Sequence, residues 1–531
     1  MNGTRCLVKA SSASILWLKC NISMASHSLS KSKYTSFCQC AKQLWLNAYH
    51  PDLATFDEMT QARFEAGTEV GGLAKGFLGP YEEATVLKPD GNLDYEAMIA
   101  RTQKLIESKA ENIAEAAFSW QGNYCAVDTL HHTDGGYAIY EVKSSTASAD
   151  GSGDTPAELK AYAQDIAYQR YVLTQCGIKV TGTYLVRLNR DYVRGEELDI
   201  TQLFCTTDLA ALVEEHQPLV PGNIEKAMQT LAMDQEPDIK LGRHCKNPNE
   251  CAFKAYCMRE VPTPSVFDLY RIQFAKAAEN YYNGIATLEE ARSIKLTDLQ
   301  QQQVECTLAG KDHIDKGAIR SFLSGIRYPL YFLDFETQQM VVPEYVGTRP
   351  YQQIPFQYSL HYIEREGGEL KHKEFLGVSG EDPRRALAER LVADIPMGAC
   401  TTAYNMTFEC TRLKELAADF PDLAEHLLDI RDSIVDFLVP FQKGHYYRPA
   451  MGGSFSIKSV LPALFPDDPS LDYHNLEGNV HNGSEAMNIY PQIQFMSPEE
   501  QESTRKALLE YCKLDTYAMV KVFWKLLEVS K

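Results

Sequence analysis

The chain is 531 residues long, 44% hydrophobic and 23% charged, with a formal net charge of −19. At about 150 residues per domain this length excludes a single small core and implies two to four domains. The acidic balance does not advertise nucleic-acid binding through bulk charge, no stretch reaches the ~18 consecutive apolar residues of a membrane span, and 14 cysteines are too sparse for a disulfide scaffold.

Taken in chain order, the opening "MNGTRCLVKASSASILWLKCNIS" has a short apolar patch at Ile15–Leu18 that Lys19 interrupts, with no small-residue cleavage site after it. Residues 1–24 are therefore expected to be a disordered extension, and the cytoplasm is the default location, with no membrane partner. Three blocks follow: 25–262 and 326–531 each alternate strand-like and helix-like runs, which predicts an α/β class. Residues 263–325, mostly helical and polar, are expected to be a linker.

In the first block, "YCAVDTLHHTDGGYAIYEVKSS" (124–145) places Asp128 after an apolar run, then a hairpin turn at Asp134-Gly135-Gly136. On the following strand Glu141 and Lys143 stand at i and i+2 and so share a face. The bland reading of E-x-K alone is a surface ion pair. The helix "AELKAYAQDIAYQRYVLTQCGI" (157–178) sets Asp165 and Gln169 four apart, with Tyr171 nearby, and Glu115 precedes the constellation in "IAEAAFSW". Cysteines stand at Cys38 and Cys40 before "AKQLWL", and again as Cys245, Cys251 and Cys257, spaced C-x5-C-x5-C. Four thiolates suit an iron–sulfur cluster, or zinc in competition.

The last block opens on "YFLDFET" (331–337), an apolar strand that ends on Asp334 and Glu336 pointing the same way. Two close carboxylates repel unless a cation stands between them, and hard oxygen ligands suit Mg²⁺ or Mn²⁺. Alone, D-x-E is more simply a turn with two solvated acids. "AYNMTFECTRLKELA" (403–417) predicts Asn405 at a helix N-cap with Glu409 one turn in, and Asp436 follows in "RDSIVDFLVPF" as a structural acid. "GGSFSIKSVLPAL" (452–464) brings Ser454 and Lys458 as phosphate-facing candidates. "LEYCKLDTYAMVKV" (509–522) sets Tyr511 and Asp515 at i and i+4 on one helix face.

The order D-x-E, N-x-x-F-E, Y-x-x-x-D resembles the DEDD exonuclease superfamily in its tyrosine-bearing form, which implies a ribonuclease-H-like fold. The resemblance assigns Asp334, Glu336 and Asp515 to two metal ions and Tyr511 to orienting the attacking water. It puts Glu409 where an aspartate is usual, one methylene longer. The pattern D-x(12)-E-x-K resembles RecB-like PD-(D/E)XK nucleases, a restriction-endonuclease-like fold, with Asp128 and Glu141 as metal ligands and Lys143 as the group that orients or activates water. The cysteines resemble the [4Fe–4S] ligands of the iron–sulfur branch, with Cys40 matching the early position better than Cys38. Gly67 and Gly71, in "ARFEAGTEVGGLAKGFLG" (62–79), are expected to allow close packing of an early helix.

The landmarks "CAKQLWL", "YEVKSS", "YFLDFET", "YNMTFE", "GSFSIKSVLPAL" and "YCKLDT" together resemble a bacterial family joining these two kinds of domain over residues 25–531. The implied function is metal-dependent hydrolysis of DNA, less strongly RNA, from chain ends, in repair or phage defence. The alternative is a non-catalytic nucleic-acid-binding or redox-sensing iron–sulfur scaffold.

Overall fold

The computed structural model describes residues 28–56, 58–148 and 154–531; the extension predicted over 1–24 lies outside them. The chain divides into two compact units. One runs to Arg259 and includes Val341–Pro350, and the other comprises Glu260–Met340 and Tyr351–Lys531. Both are mixed α/β.

The first unit is built on a mixed seven-stranded sheet. Strands β2 (Glu82–Glu83), β3 (Asn112–Trp120), β4 (Asn123–Thr133), β5 (Gly136–Ala147), β6 (Val180–Asn189) and β7 (Phe204–Asp208) lie in that order, and β1 (Leu29–Ser30) pairs with β4. The predicted turn falls at Asp134–Gly135, between Thr133 and its partner Gly136. Gly136 is required there, because a Cβ would stand 2.1 Å from the Lys179 carbonyl oxygen. Helix α1 (Lys31–Gln39) is capped by Ser30, whose hydroxyl accepts from the Lys33 amide, and α2 (Ala41–Tyr49) follows at once. Helix α3 (Pro156–Gln175) begins with a capping box between Thr155 and Glu158. Its Ala163, Ile166, Ala167 and Tyr168 pack with Tyr137 and Ile139 of β5, Val127 of β4 and Leu29 of β1 in one core. Tyr137, Ile139, Glu141 and Lys143 alternate onto that same face, which carries the two charged groups to α3. Gly67 and Gly71 do not pack as expected: a Cβ on either would meet nothing within 4 Å.

In the second unit β8 (His313–Ile314) pairs with β14 (Tyr446–Tyr447), and a five-stranded sheet runs β11 (Leu370–Leu376), β10 (Gln353–Ile363), β9 (Leu330–Gln339), β12 (Cys400–Ala403), β13 (Ile434–Asp436). Strands β9, β10 and β11 are antiparallel neighbours, whereas β12 and β13 run parallel to β9. The stretch 263–325 belongs to this unit: Gln302 Nε2 donates to the Gly444 carbonyl at 2.8 Å and Arg320 Nη1 to that of Ser530 at 2.6 Å. It is part of the unit's packing and not a free linker.

Helix α4 (Thr407–Asp419) follows β12, and α5 (Pro498–Ser530) closes the chain, begun by a Ser497–Glu500 capping box. Strand β9 is buried on both faces. Tyr331, Leu333 and Phe335 enter one core, while Leu330 and Phe332 pack on Met519, Val520 and Phe523 of α5. Asp334 and Glu336 continue the face turned to α5. Strand β10 fixes that helix in place: Gln357 Nε2 donates to the Leu508 carbonyl at 2.8 Å, and the Ser359 and Thr516 hydroxyls bond at 2.7 Å.

Candidate active site

Strand β12 pairs with β9 only through Leu330–Phe332. Beyond that point β9 continues without its parallel neighbour, and there Asp334 and Glu336 project. The first turn of α4, just after β12, supplies Glu409, and α5 supplies Tyr511 and Asp515 one turn apart. Burial pushes Asp334 well above the usual carboxylate range, reinforced by Asp515, Glu336 and Glu409. Glu336 is likewise raised by burial and by Asp515, with Lys458 acting in the opposite sense. Burial takes Glu409 up to about 8 and Asp515 up to about 6; the Tyr473 hydroxyl, Lys458 and Tyr511 restrain the latter rise. The four carboxyls thus feel one another in a low-dielectric setting, the arrangement that a divalent cation relieves.

The donor set fits such an ion. Glu409 is 3% exposed, and its Oε2 is buried with no hydrogen-bond partner, a cost that coordination would remove. Among the described residues, Asp334, Glu336 and Cys512 bring one ligand atom each within 4.8 Å of one another. Cys512 Sγ lies 3.7 Å from Asp334 Oδ2. Neither Cys512 nor Tyr473, which donates to Asp515 Oδ1 at 2.6 Å, stands out in the sequence. Lys458 sits 5.9 Å from the Tyr473 ring centroid, whereas the Ser454 hydroxyl bonds its neighbour Ser456.

Asn405 is not the N-cap expected of it. It adopts a left-handed backbone (φ +67°), Met406 holds the cap position, and the Asn405 amide donates to Asp436 Oδ1 at 2.9 Å. Asp436 also accepts from the Leu438 amide at 2.9 Å, so it is the structural acid expected.

Residues 331–456 match a family model described as a domain of unknown function (DUF2779). No curated protein and no solved structure matches the chain. The matched stretch holds Asp334, Glu336, Glu409 and Asp436 and ends before Lys458, Tyr473, Tyr511 and Asp515.

The first unit gathers a second cluster. Pairing of β4 with β5 ends at Thr129 and Tyr140; one residue on, Asp128 Oδ2 takes the free Val142 amide at 2.7 Å. Glu141, fully buried, receives Lys143 Nζ at 2.7 Å and Gln169 Nε2 at 2.7 Å. Lys143 also reaches Asp165 Oδ2 at 2.9 Å. The predicted Asp165/Gln169 pair therefore joins Glu141 and Lys143, while Tyr171 packs against the core. Glu115 sits at an irregularity of β3 (φ +55°) with Lys75 Nζ 3.9 Å away. A further cation, Lys31 of α1, lies 2.9 Å from Glu141 Oε1 and 3.8 Å from Asp128 Oδ1. Burial opposes the charge on Glu141, yet Lys143 and Lys31 outweigh it and hold the carboxyl below its usual range. Asp128, pushed by burial and by Glu141, rises to about 7.

Cys40, Cys245, Cys251 and Cys257 line one pocket. Cys38 instead packs against the main core. Burial raises the Cys245 and Cys257 thiols and takes Cys251 up to about 11. The four sulphurs do not form a group within 4.8 Å of one another among the described residues.

Proposed function

We propose that this protein is a metal-dependent nuclease that hydrolyses phosphodiester bonds, of DNA ahead of RNA, at a ribonuclease-H-like DEDD-type site. The observation that carries this reading is the meeting of Asp334, Glu336, Glu409 and Asp515, from three separate elements, with Glu409 Oε2 buried and unpartnered. Those four would hold a pair of Mg²⁺ or Mn²⁺ ions, which supply Lewis acidity to the phosphate and lower the pKa of water. The chain's own groups do the rest. Tyr511, bonded to Asp515, orients water, and Lys458, facing Glu336 and Asp515, offers positive charge to an incoming phosphate. Removal of nucleotides from an end, in repair or phage defence, is the activity that both resemblances favour.

The first unit resembles a PD-(D/E)XK domain, but two ammonium groups already pair with its acids, so the proposed chemistry is assigned to the second unit. The cysteine pocket is proposed to hold a [4Fe–4S] cluster. Zinc, which four thiolates also suit, is the competing occupant.

The test is digestion of end-labelled DNA and RNA with Mg²⁺ or Mn²⁺. Loss with Asp334→Ala alone supports the assignment, and loss with Lys143→Ala alone moves the chemistry to the first unit. Digestion of neither polymer by cluster-loaded protein replaces the nuclease reading with that of a binding or redox-sensing scaffold.

A further inference from the structure

Lys31 reaches its position through a fixed entry to the fold. Strand β1 pairs Leu29 with Asn123 and Ser30 with Tyr124 of β4, and the Tyr168 hydroxyl donates to the Leu29 carbonyl at 2.6 Å. Lys31 is itself the first residue of α1 and reaches Glu141 of β5 and Asp128 of β4. Its ammonium straddles Glu141, 2.9 Å from Oε1 and 3.1 Å from Oε2, while Asp128 Oδ1 lies 3.8 Å away. Those are the two residues that a divalent ion would have to bridge, and the ammonium stands between them.

Both oxygens of Glu141 are already engaged. Oε1 takes Lys31 and Lys143, and Oε2 takes Lys31 and Gln169. Three carboxyls (Asp128, Glu141, Asp165) face two ammonium groups, whereas four carboxyls of the second unit have Lys458 opposite Glu336 and Asp515 and Arg412 opposite Glu409. A divalent cation entering among Asp128 and Glu141 would meet two positive charges at ion-pair distance, a repulsion that a partly buried site screens poorly. Lys31 is still not locked in: its side chain keeps 24% of its exposure, and a four-carbon stem lets the ammonium swing out.

We propose that Lys31 is an internal, displaceable competitor for the divalent position of the first unit, so that this site takes up a metal ion only when Lys31 leaves it. The proposal rests on reading Asp128, Glu141 and Lys143 as a metal-dependent site. It makes Lys31 a specificity-determining residue that keeps this site empty of metal while the ammonium stays between Asp128 and Glu141.

The experiment measures Mn²⁺ binding, by calorimetry and by the electron spin resonance signal of free Mn²⁺. The protein is the full chain carrying Asp334→Asn and Asp515→Asn, which silence the second unit's site. Adding Lys31→Met should create one Mn²⁺ site with a Kd at least about tenfold lower than in the parent. Lys31→Arg should leave the parent's affinity unchanged, and Asp128→Asn should cancel the gain. Equal affinity in the parent and in Lys31→Met, both sensitive to Asp128→Asn, overturns the proposal while the metal-site reading stands. Absence of any Asp128-dependent Mn²⁺ binding in every variant overturns both. Should Lys31→Met melt below the assay temperature, Lys31→Gln, which keeps a donor to Glu141, carries the same comparison.

Discussion

The Tyr473 hydroxyl donates a 2.6 Å hydrogen bond to Oδ1 of Asp515. The bond favours the ionised carboxyl and restrains a pKa that burial alone would lift further. Tyr473→Phe removes it without changing the ring, at a cost of about 1.5–3 kcal/mol for a bond to a charged group. Asp515 then titrates higher in the metal-free protein, so Mn²⁺ uptake at the site should need a higher pH than in the wild type. An unchanged pH dependence of Mn²⁺ uptake would show that this bond does not govern the ionisation of Asp515.

The crowding of Asp334, Glu336, Glu409 and Asp515 sets the pH dependence of the metal-free fold. Asp515 titrates at about 6 and Glu409 at about 8, against ordinary values of 3.8 and 4.5. The folded state binds more protons than the unfolded chain between those limits, so stability falls as pH rises. The contribution is complete below roughly pH 4 and is lost through about 6 and then about 8. Melting in a chelator should show this decline, Glu409→Gln should flatten its upper part, and saturating Mn²⁺ should reverse it by binding the ionised form.

Glu141 lies fully buried against Lys31, Lys143 and Gln169. Removing one partner of a buried ion pair leaves the others uncompensated, so Glu141→Leu is expected to destabilise the first unit by about 3–5 kcal/mol in denaturant unfolding. Lys31→Met should cost less, because Glu141 retains Lys143 and Gln169.

The cysteine pocket predicts a split among thiols. Protein purified without oxygen should be brown, with iron and acid-labile sulphide. Cys40→Ser, Cys245→Ser, Cys251→Ser and Cys257→Ser should each lose most of both and lower the melting temperature, since cluster ligation contributes folding energy. Cys38→Ser should keep iron and sulphide, because Cys38 faces the core. Zinc in place of iron, in the same stoichiometry, would redirect the assignment.

Much of the site was legible because it is written in single elements. Asp334 with Glu336, and Glu141 with Lys143, share a face by the two-residue repeat of a strand. Tyr511 with Asp515, and Asp165 with Gln169, share one by the helical repeat. The turn at Asp134–Gly135 was equally local. Asn405 misled for the same reason: its residue type suits an N-cap, but the chain spends it on a left-handed turn whose amide is claimed by Asp436 from β13.

Residue order alone therefore determined which acids and bases travel in pairs, which cysteines are candidates for one centre, and that no stretch of ~18 consecutive apolar residues occurs. Only the folded chain decided what stands opposite each pair: Lys31 across Glu141, Tyr473 on Asp515, Cys512 beside Asp334. Side-chain periodicity follows from the geometry of one strand or helix. Part of the charge that a buried carboxyl meets is instead set by groups from other elements, more than 100 residues away for Lys31 and Glu141, and no repeat in the chain encodes that distance.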